Sequence, residues 1–204
     1  VNIDTLAAFW AVSFLFVITP GVDWAYAISA GLHGRRVIPA VAGMLSGHLA
    51  ATLVVAAGVG GIVARMPVIM TLLTLVGAVY LLWLGANLLA APAAPIRGTE
   101  GDAGSSFKWY VKGFSVSGLN PKVFLLFLAL LPQFSDPHSA WSVPMQLIFL
   151  GIIHMLSCGA VYLVVGFCAK ALLGTRPNAA SVLNRLSGVV MMVVAITLIA
   201  ERFA

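Results

Sequence analysis

Apolar residues run through this chain in six long blocks, 6–31, 38–63, 67–91, 109–133, 143–169 and 180–201, with polar residues gathered in the gaps. Each block is as long as the roughly 17–25 residues that a helix needs to cross a bilayer. The pattern predicts six transmembrane helices in an all-α integral membrane protein. Composition agrees: 61% of the 204 residues are hydrophobic and only 8% charged, with a mean hydropathy of +1.06, whereas soluble domains carry about 25% charged residues. Almost nothing is left over for a soluble domain.

The apolar pattern fails at two places. In "VITPGVDWAYAIS", residues 17–29, Pro20, Gly21 and Asp23 interrupt the first block. In "VSGLNPKVFLLF", residues 116–127, Asn120, Pro121 and Lys122 interrupt the fourth. Between the two, "APAAPIRGTEGDAGSS" at 91–106 is rich in Pro, Gly and Ser and reads as a flexible linker. It divides the chain into a first three-helix repeat over 1–91, a cytoplasmic linker over 92–108 and a second three-helix repeat over 109–204. An odd number of spans per half makes the second half insert upside down relative to the first. The break recurs in the first span of each half. A histidine recurs in the second: His48 comes 28 residues after Pro20, and His154 comes 33 after Pro121. The expected architecture is therefore two inverted three-helix repeats with broken helices 1 and 4.

Charge changes the picture less by its sum than by its placement. A net charge of +5 invites a nucleic-acid partner, but in a membrane protein basic residues mark cytoplasmic loops. Arg35 and Arg36 follow the first block, Arg97, Lys108 and Lys112 lead into the fourth, and Lys170, Arg176 and Arg185 surround the link from fifth to sixth. These three clusters share one side of the membrane if both termini lie outside, which predicts an N-out, C-out protein of the bacterial cytoplasmic (inner) membrane and no nucleic-acid partner. The opening residues "VNIDT" carry no Lys or Arg, so a secretory signal peptide, which opens with basic residues, is not expected.

The breaks have a physical use. Thr and Asn are good N-caps, and Pro is favoured at the first helical position, so Thr19-Pro20 and Asn120-Pro121 are expected to start new helices near mid-membrane. A helix N-terminus there offers unpaired N–H groups and partial positive charge to an anion. Asp23 lies in the first turn of one such half-helix, where a carboxylate is favoured. Lys122 lies in the first turn of the other, where a cation is not, so an anion is expected beside it. A charge near mid-helix costs roughly 2.5–3.5 kcal/mol on insertion scales, which weighs against two of them being incidental. A ligand with both a carboxylate and an ammonium fits such a pair, and an amino acid is the simplest. Thr19, Pro20, Gly21, Asp23, Trp24, Asn120, Pro121 and Lys122 are thus the candidate substrate-binding residues.

Imidazole changes charge near physiological pH, so His48 and His154 join Asp23 as candidate proton carriers; the plain alternative is a neutral ring bonded to its neighbours. Four scattered histidines and few buried carboxylates do not resemble a metal site, and none is expected. Cys158 and Cys168 are ten residues apart on one helix, about 15 Å and beyond disulfide reach, and read as small packing residues. Gly43 and Gly47 are spaced for close helix packing. Trp10, Trp109 and Trp141 fit anchors at the membrane interface, and Asn87, Gln146 and Asn184 either line a cavity or bridge helices.

"FVITPGVDWAYAISAGLHGRRVIPAVAGMLSGH" and "GFSVSGLNPKVFLLFLALLPQFSDP" resemble the two signature regions of the LysE/RhtB family of amino-acid exporters. The six-span layout and the linker position are similar too, so the resemblance covers nearly the whole chain. It implies export of amino acids by proton- or potential-driven antiport, with Thr19, Pro20, Gly21, Asp23, Asn120, Pro121 and Lys122 as the motif residues.

These readings converge on a secondary exporter of amino acids or related zwitterionic metabolites, working by H⁺ antiport and alternating access around a mid-membrane site. No ATP-binding loop is present, so no cofactor is expected and the energy source is an H⁺ gradient or the membrane potential. The expected partners are a small-molecule substrate and membrane lipid, and the Gly-rich spans are compatible with a homodimer. A cation or heavy-metal exporter is the alternative within transport; Asp23 as the sole strong acid inside a span counts against it. An intramembrane enzyme is the alternative class, and only His48 with His154 offers it any chemistry.

Overall fold

A computed structural model describes residues 2–33, 36–63, 67–90 and 105–169, together with scattered positions between 185 and 200. All regular structure among the described residues is helical: α1 (Ile3–Ile18), α2 (Val22–Leu32), α3 (Val37–Val63), α4 (Pro67–Ala90), α5 (Ser106–Gly118), α6 (Pro121–Leu130), a 3₁₀ turn (Leu131–Phe134) and α7 (Val143–Phe167). The described positions between 185 and 200 are helical too. Most of the expected sixth block, and residues 91–104 of the linker, lie outside the described residues. The second half starts earlier than its apolar pattern indicates, because Ser105 caps α5 by accepting a hydrogen bond from the Lys108 amide at 3.3 Å.

Two helices, α3 over Val37–Gly58 and α7, are each long and apolar enough to cross a bilayer. α1 and α2 together form a third such segment, bent by 57° at their break. The first apolar block is thus two helices meeting at an angle, with Thr19, Pro20 and Gly21 between them. The fourth is interrupted at Leu119-Asn120, between α5 and α6.

α3 is the hub, packed on α5 and α7; α2 also lies on α7, and α4 on α6. Lipid is as apolar as a leucine side chain, so helices inside a membrane associate by fitting closely. α3 and α5 do this through glycine. A methyl group placed on Gly43 would run into the Tyr110 carbonyl, one on Gly113 into the Ala40 carbonyl, and one on Gly47 would come within 2.6 Å of the Gly118 amide nitrogen. That close approach also buries Trp109, which is only 5% exposed and sits beside Tyr26. Trp109 is therefore a packing residue and not the interface anchor expected of it, whereas Trp10 and Trp141 are about half exposed, at 47% and 46%.

Buried side chains form two clusters. One gathers Phe9, Phe16, Leu81, Phe127, Leu130 and Leu147. The other gathers Val17, Tyr26, Met44, Trp109, Cys158 and Tyr162. Gln146 neither lines a cavity nor bridges helices. It is fully buried and ties down the chain before α7: its amide nitrogen donates to the Asp136 and Trp141 carbonyls, both at 2.8 Å, and its oxygen accepts from the Asp136 amide at 3.0 Å. Asn87 is exposed, and Asn184 lies outside the described residues.

Candidate functional site

The first break is built differently from its expected form. Thr19 does not cap α2. It ends α1, its hydroxyl turned back to donate to the Leu15 carbonyl at 2.6 Å. That bond satisfies one of the carbonyls left over at a helix C-terminus, and Thr19 stands two residues ahead of the position that caps α2. The N-cap of α2 is Gly21, which has no side chain to offer. The second break matches its expected form: the Asn120 carbonyl accepts from the amides of Val123 (3.0 Å) and Phe124 (3.3 Å), and Pro121 is the first residue of α6.

Both breaks line one cavity of about 290 Å³. Thr19, Pro20, Gly21, Asp23 and Trp24 contribute from the first half, Asn120 and Val123 from the second. Phe16 and Leu126 come from the first buried cluster, Val17 and Tyr162 from the second, so the cavity sits at their seam. His48 from α3 and His154 from α7 line it as well. Trp24 is fixed in the wall by donating from its indole nitrogen to the Val17 carbonyl at 3.0 Å.

Asp23 lies in the first turn of α2 and is only 8% exposed. Oδ1 accepts from the Ser117 hydroxyl at 2.6 Å, and Oδ2 accepts a longer bond from the Tyr162 hydroxyl at 3.4 Å. Ser117 is fully buried in the last turn of α5, just ahead of the second break. The charge carried by one break is thereby tied to the other. The backbone of Lys122 lies in the first turn of α6, and its side chain is outside the described residues.

The histidines are neighbours. Their ring centroids are 5.6 Å apart, and both rings lie against Phe127, His154 in an edge contact at 5.1 Å. Cys158 stands with them, its Sγ 3.3 Å from His154 Nε2 and 3.8 Å from His48 Nε2. The outer ring nitrogens are held too: His48 Nδ1 lies 3.0 Å from the Met44 carbonyl and His154 Nδ1 2.6 Å from Ser13 Oγ. Cys158 is buried in the packed core, as expected of a small packing residue, and it also lies against two of the four histidines, which the sequence had left scattered. Packing α3 against α7 brings together residues that are far apart in sequence.

Ser117, Tyr162, Cys158 and Ser13 were not singled out by sequence as site residues. One signal did exist. His154, Cys158 and Tyr162 are spaced by four, which puts them on one face of a single helix, and that face is the one α7 turns toward the cavity and α3.

An apolar helical bundle with a cavity at two helix breaks, into which a buried carboxylate and two histidines project, has the architecture of a multi-pass membrane protein. The chain belongs to the LysE type translocator family, which matches residues 14–202. Members of this family are transporters and not enzymes, which removes the intramembrane-enzyme alternative. The chain is 29% identical to an uncharacterized membrane protein of Vibrio cholerae over 94% of both chains. It is 32% identical to a cysteine/O-acetylserine efflux protein of Salmonella choleraesuis over 66% of this chain and 67% of that one. A leucine efflux protein of Klebsiella pneumoniae is 26% identical over 86% of this chain and 85% of its own. No solved structure matches significantly.

Proposed function

We propose that this protein exports amino acids, or closely related zwitterionic metabolites, by H⁺ antiport. The observation that carries the reading is the cavity in which both helix breaks and the buried Asp23 meet. At about 290 Å³ it lies at the small end of the roughly 300–1,000 Å³ of ligand pockets, a size suited to a single amino acid. The N-termini of α2 and α6 both begin at this cavity, and each brings partial positive charge to a carboxylate. Lys122 follows Pro121 in the first turn of α6, and in this reading its charge serves the same carboxylate. Asp23 takes the substrate ammonium in one state and a proton in the other, and that exchange couples the two flows. His48 and His154 extend the proton path from the cavity wall. The substrates named for the efflux relatives, cysteine with O-acetylserine and leucine, support a cargo among small neutral amino acids.

The same reading holds that six spans form two inverted repeats and rock around the cavity in alternating access. Support comes from the opposed half-helices: α2 runs from the cavity toward the end of the bundle where Arg36 donates to Ser106 Oγ at 2.9 Å, and α5 starts from that end. The last turn of α7 packs there too, with Gly166 against Val37 and Ala27. The segments carrying Arg36 and Lys108 therefore share one end with the last turn of α7, and the positive-inside rule makes that end cytoplasmic. This supports the reading of an inner-membrane protein with both termini outside.

Efflux of a panel of labelled amino acids from preloaded proteoliposomes tests the function. Selective efflux of a small neutral amino acid, accelerated by an imposed pH gradient, is the expected result. Efflux indifferent to the gradient would overturn the coupling, and no efflux from folded protein would overturn the cargo.

A further inference from the structure

The cluster behind the cavity wall has a second chemistry. His48 is 1% exposed, His154 3% and Cys158 0%, and one donor atom from each lies within 4.8 Å of the other two. Zinc binds Cys sulfur at about 2.3 Å and His nitrogen at about 2.0–2.1 Å. Around a tetrahedral ion those bond lengths place sulfur and nitrogen roughly 3.5 Å apart. The separations here are 3.3 Å to His154 Nε2 and 3.8 Å to His48 Nε2. Both sulfur–nitrogen separations are thus close to the spacing an ion would impose, and the two ring nitrogens need only draw together around it.

The rings also face the right way. A carbonyl oxygen only accepts, so the neutral His48 ring must carry its proton on Nδ1 to bond Met44 at 3.0 Å. Its lone pair is then on Nε2, facing Cys158. Ser13 Oγ holds His154 by the corresponding nitrogen at 2.6 Å. Metal-ligating histidines are characteristically fixed in this manner, with the distal ring nitrogen bonded to a carbonyl or another polar group. His48 and His154 also line the cavity, so an ion has a route to the cluster from it.

We propose that His48 Nε2, His154 Nε2 and Cys158 Sγ form a binding site for a soft or borderline d¹⁰ cation of the zinc and cadmium type. Two imidazoles and a thiolate select such ions over Mg²⁺, Ca²⁺ or Mn²⁺, which favour carboxylate and carbonyl oxygen. Binding releases the thiol proton to solvent and leaves the sulfur bonded to the metal as thiolate. It also occupies the imidazole lone pairs that the proton path uses, so a bound ion inhibits gradient-driven efflux. The site itself is independent of the cargo.

The test is Cd²⁺ titration of the purified full chain in detergent, read by the ultraviolet thiolate-to-cadmium charge-transfer absorption. Cys168→Ser removes the other, exposed thiol. In that background the band is expected to saturate at one Cd²⁺ per chain and to be displaced by Zn²⁺. Adding Cys158→Ser, which keeps the side-chain shape, abolishes the band, with circular dichroism reporting that the helices persist. His48→Ala weakens binding at least tenfold, since loss of an outer partner alone costs about 10–100-fold. No band from folded Cys168→Ser protein, or Cd²⁺ affinity unchanged by His48→Ala, overturns the site. Because the readout is binding, failure here leaves amino-acid efflux standing, and failure of efflux leaves the site standing.

Discussion

The two helix breaks occupy equivalent places in their halves and do different work. At the first, three residues separate α1 from α2, Thr19 bonds backward into α1, and α2 starts at an uncapped glycine with a buried carboxylate in its first turn. At the second, the chain turns within Leu119-Asn120, and the Asn120 carbonyl starts α6 directly. One break is wide and carries a negative charge; the other is tight and carries a lysine. The difference shows how a repeated fold becomes an asymmetric site. Two helix ends supply the same partial charge, and under the proposed function the side chains in their first turns decide which end of a zwitterion each receives.

The most severe way to break this asymmetry is Asp23→Asn. The amide keeps the shape and can still accept from Ser117, but it cannot change charge with a proton. Gradient-driven efflux is expected to fall at least tenfold, roughly the 1.4 kcal/mol that such a ratio represents, while the melting temperature of the detergent-solubilised protein changes little. Gly113→Val attacks packing instead. Its side chain would press on the Ala40 carbonyl, and overpacking of this kind costs about 1–3 kcal/mol. A lower melting temperature and poorer yield are expected, with efflux per folded molecule less affected than by Asp23→Asn.

Two smaller changes sharpen the comparison. Ser117→Ala removes the link between the breaks, a hydrogen bond to a charged group worth about 1.5–3 kcal/mol. It is expected to reduce efflux less than Asp23→Asn, because the carboxylate remains and keeps its bond from Tyr162. Thr19→Val removes only the bond to Leu15, about 0.5–1.5 kcal/mol. It should lower the melting temperature slightly and leave substrate selectivity intact, whereas a true cap of α2 would alter both.

Much of this arrangement was legible before any coordinates. Long apolar blocks declare membrane helices because the bilayer demands them, and Pro20 and Pro121 mark the breaks because proline cannot donate within a helix. The glycines at 43 and 47 announced the close packing of α3. Other features depend on which helices touch, and local pattern is silent on that. Thr19 has the composition of a cap, yet α2 starts two residues later, at Gly21, and Thr19 ends α1 instead. Trp109 looked like an interface residue, yet the glycine contact between α3 and α5 draws it inside. Cys158 became chemically interesting only when α7 was laid against α3, beside His48.

The claim most in need of a direct test is that the two breaks together recognise the two ends of a zwitterion. Calorimetric titration of the purified protein, with the amino acid it transports best, measures that recognition without any gradient. The same titration with the decarboxylated amine and with the N-acetylated acid removes one charge at a time. Binding of the amino acid, with at least a tenfold loss for each analogue, is the predicted result. Equal affinity for the amino acid and either analogue would contradict the account, because one break would then have no part in holding the substrate.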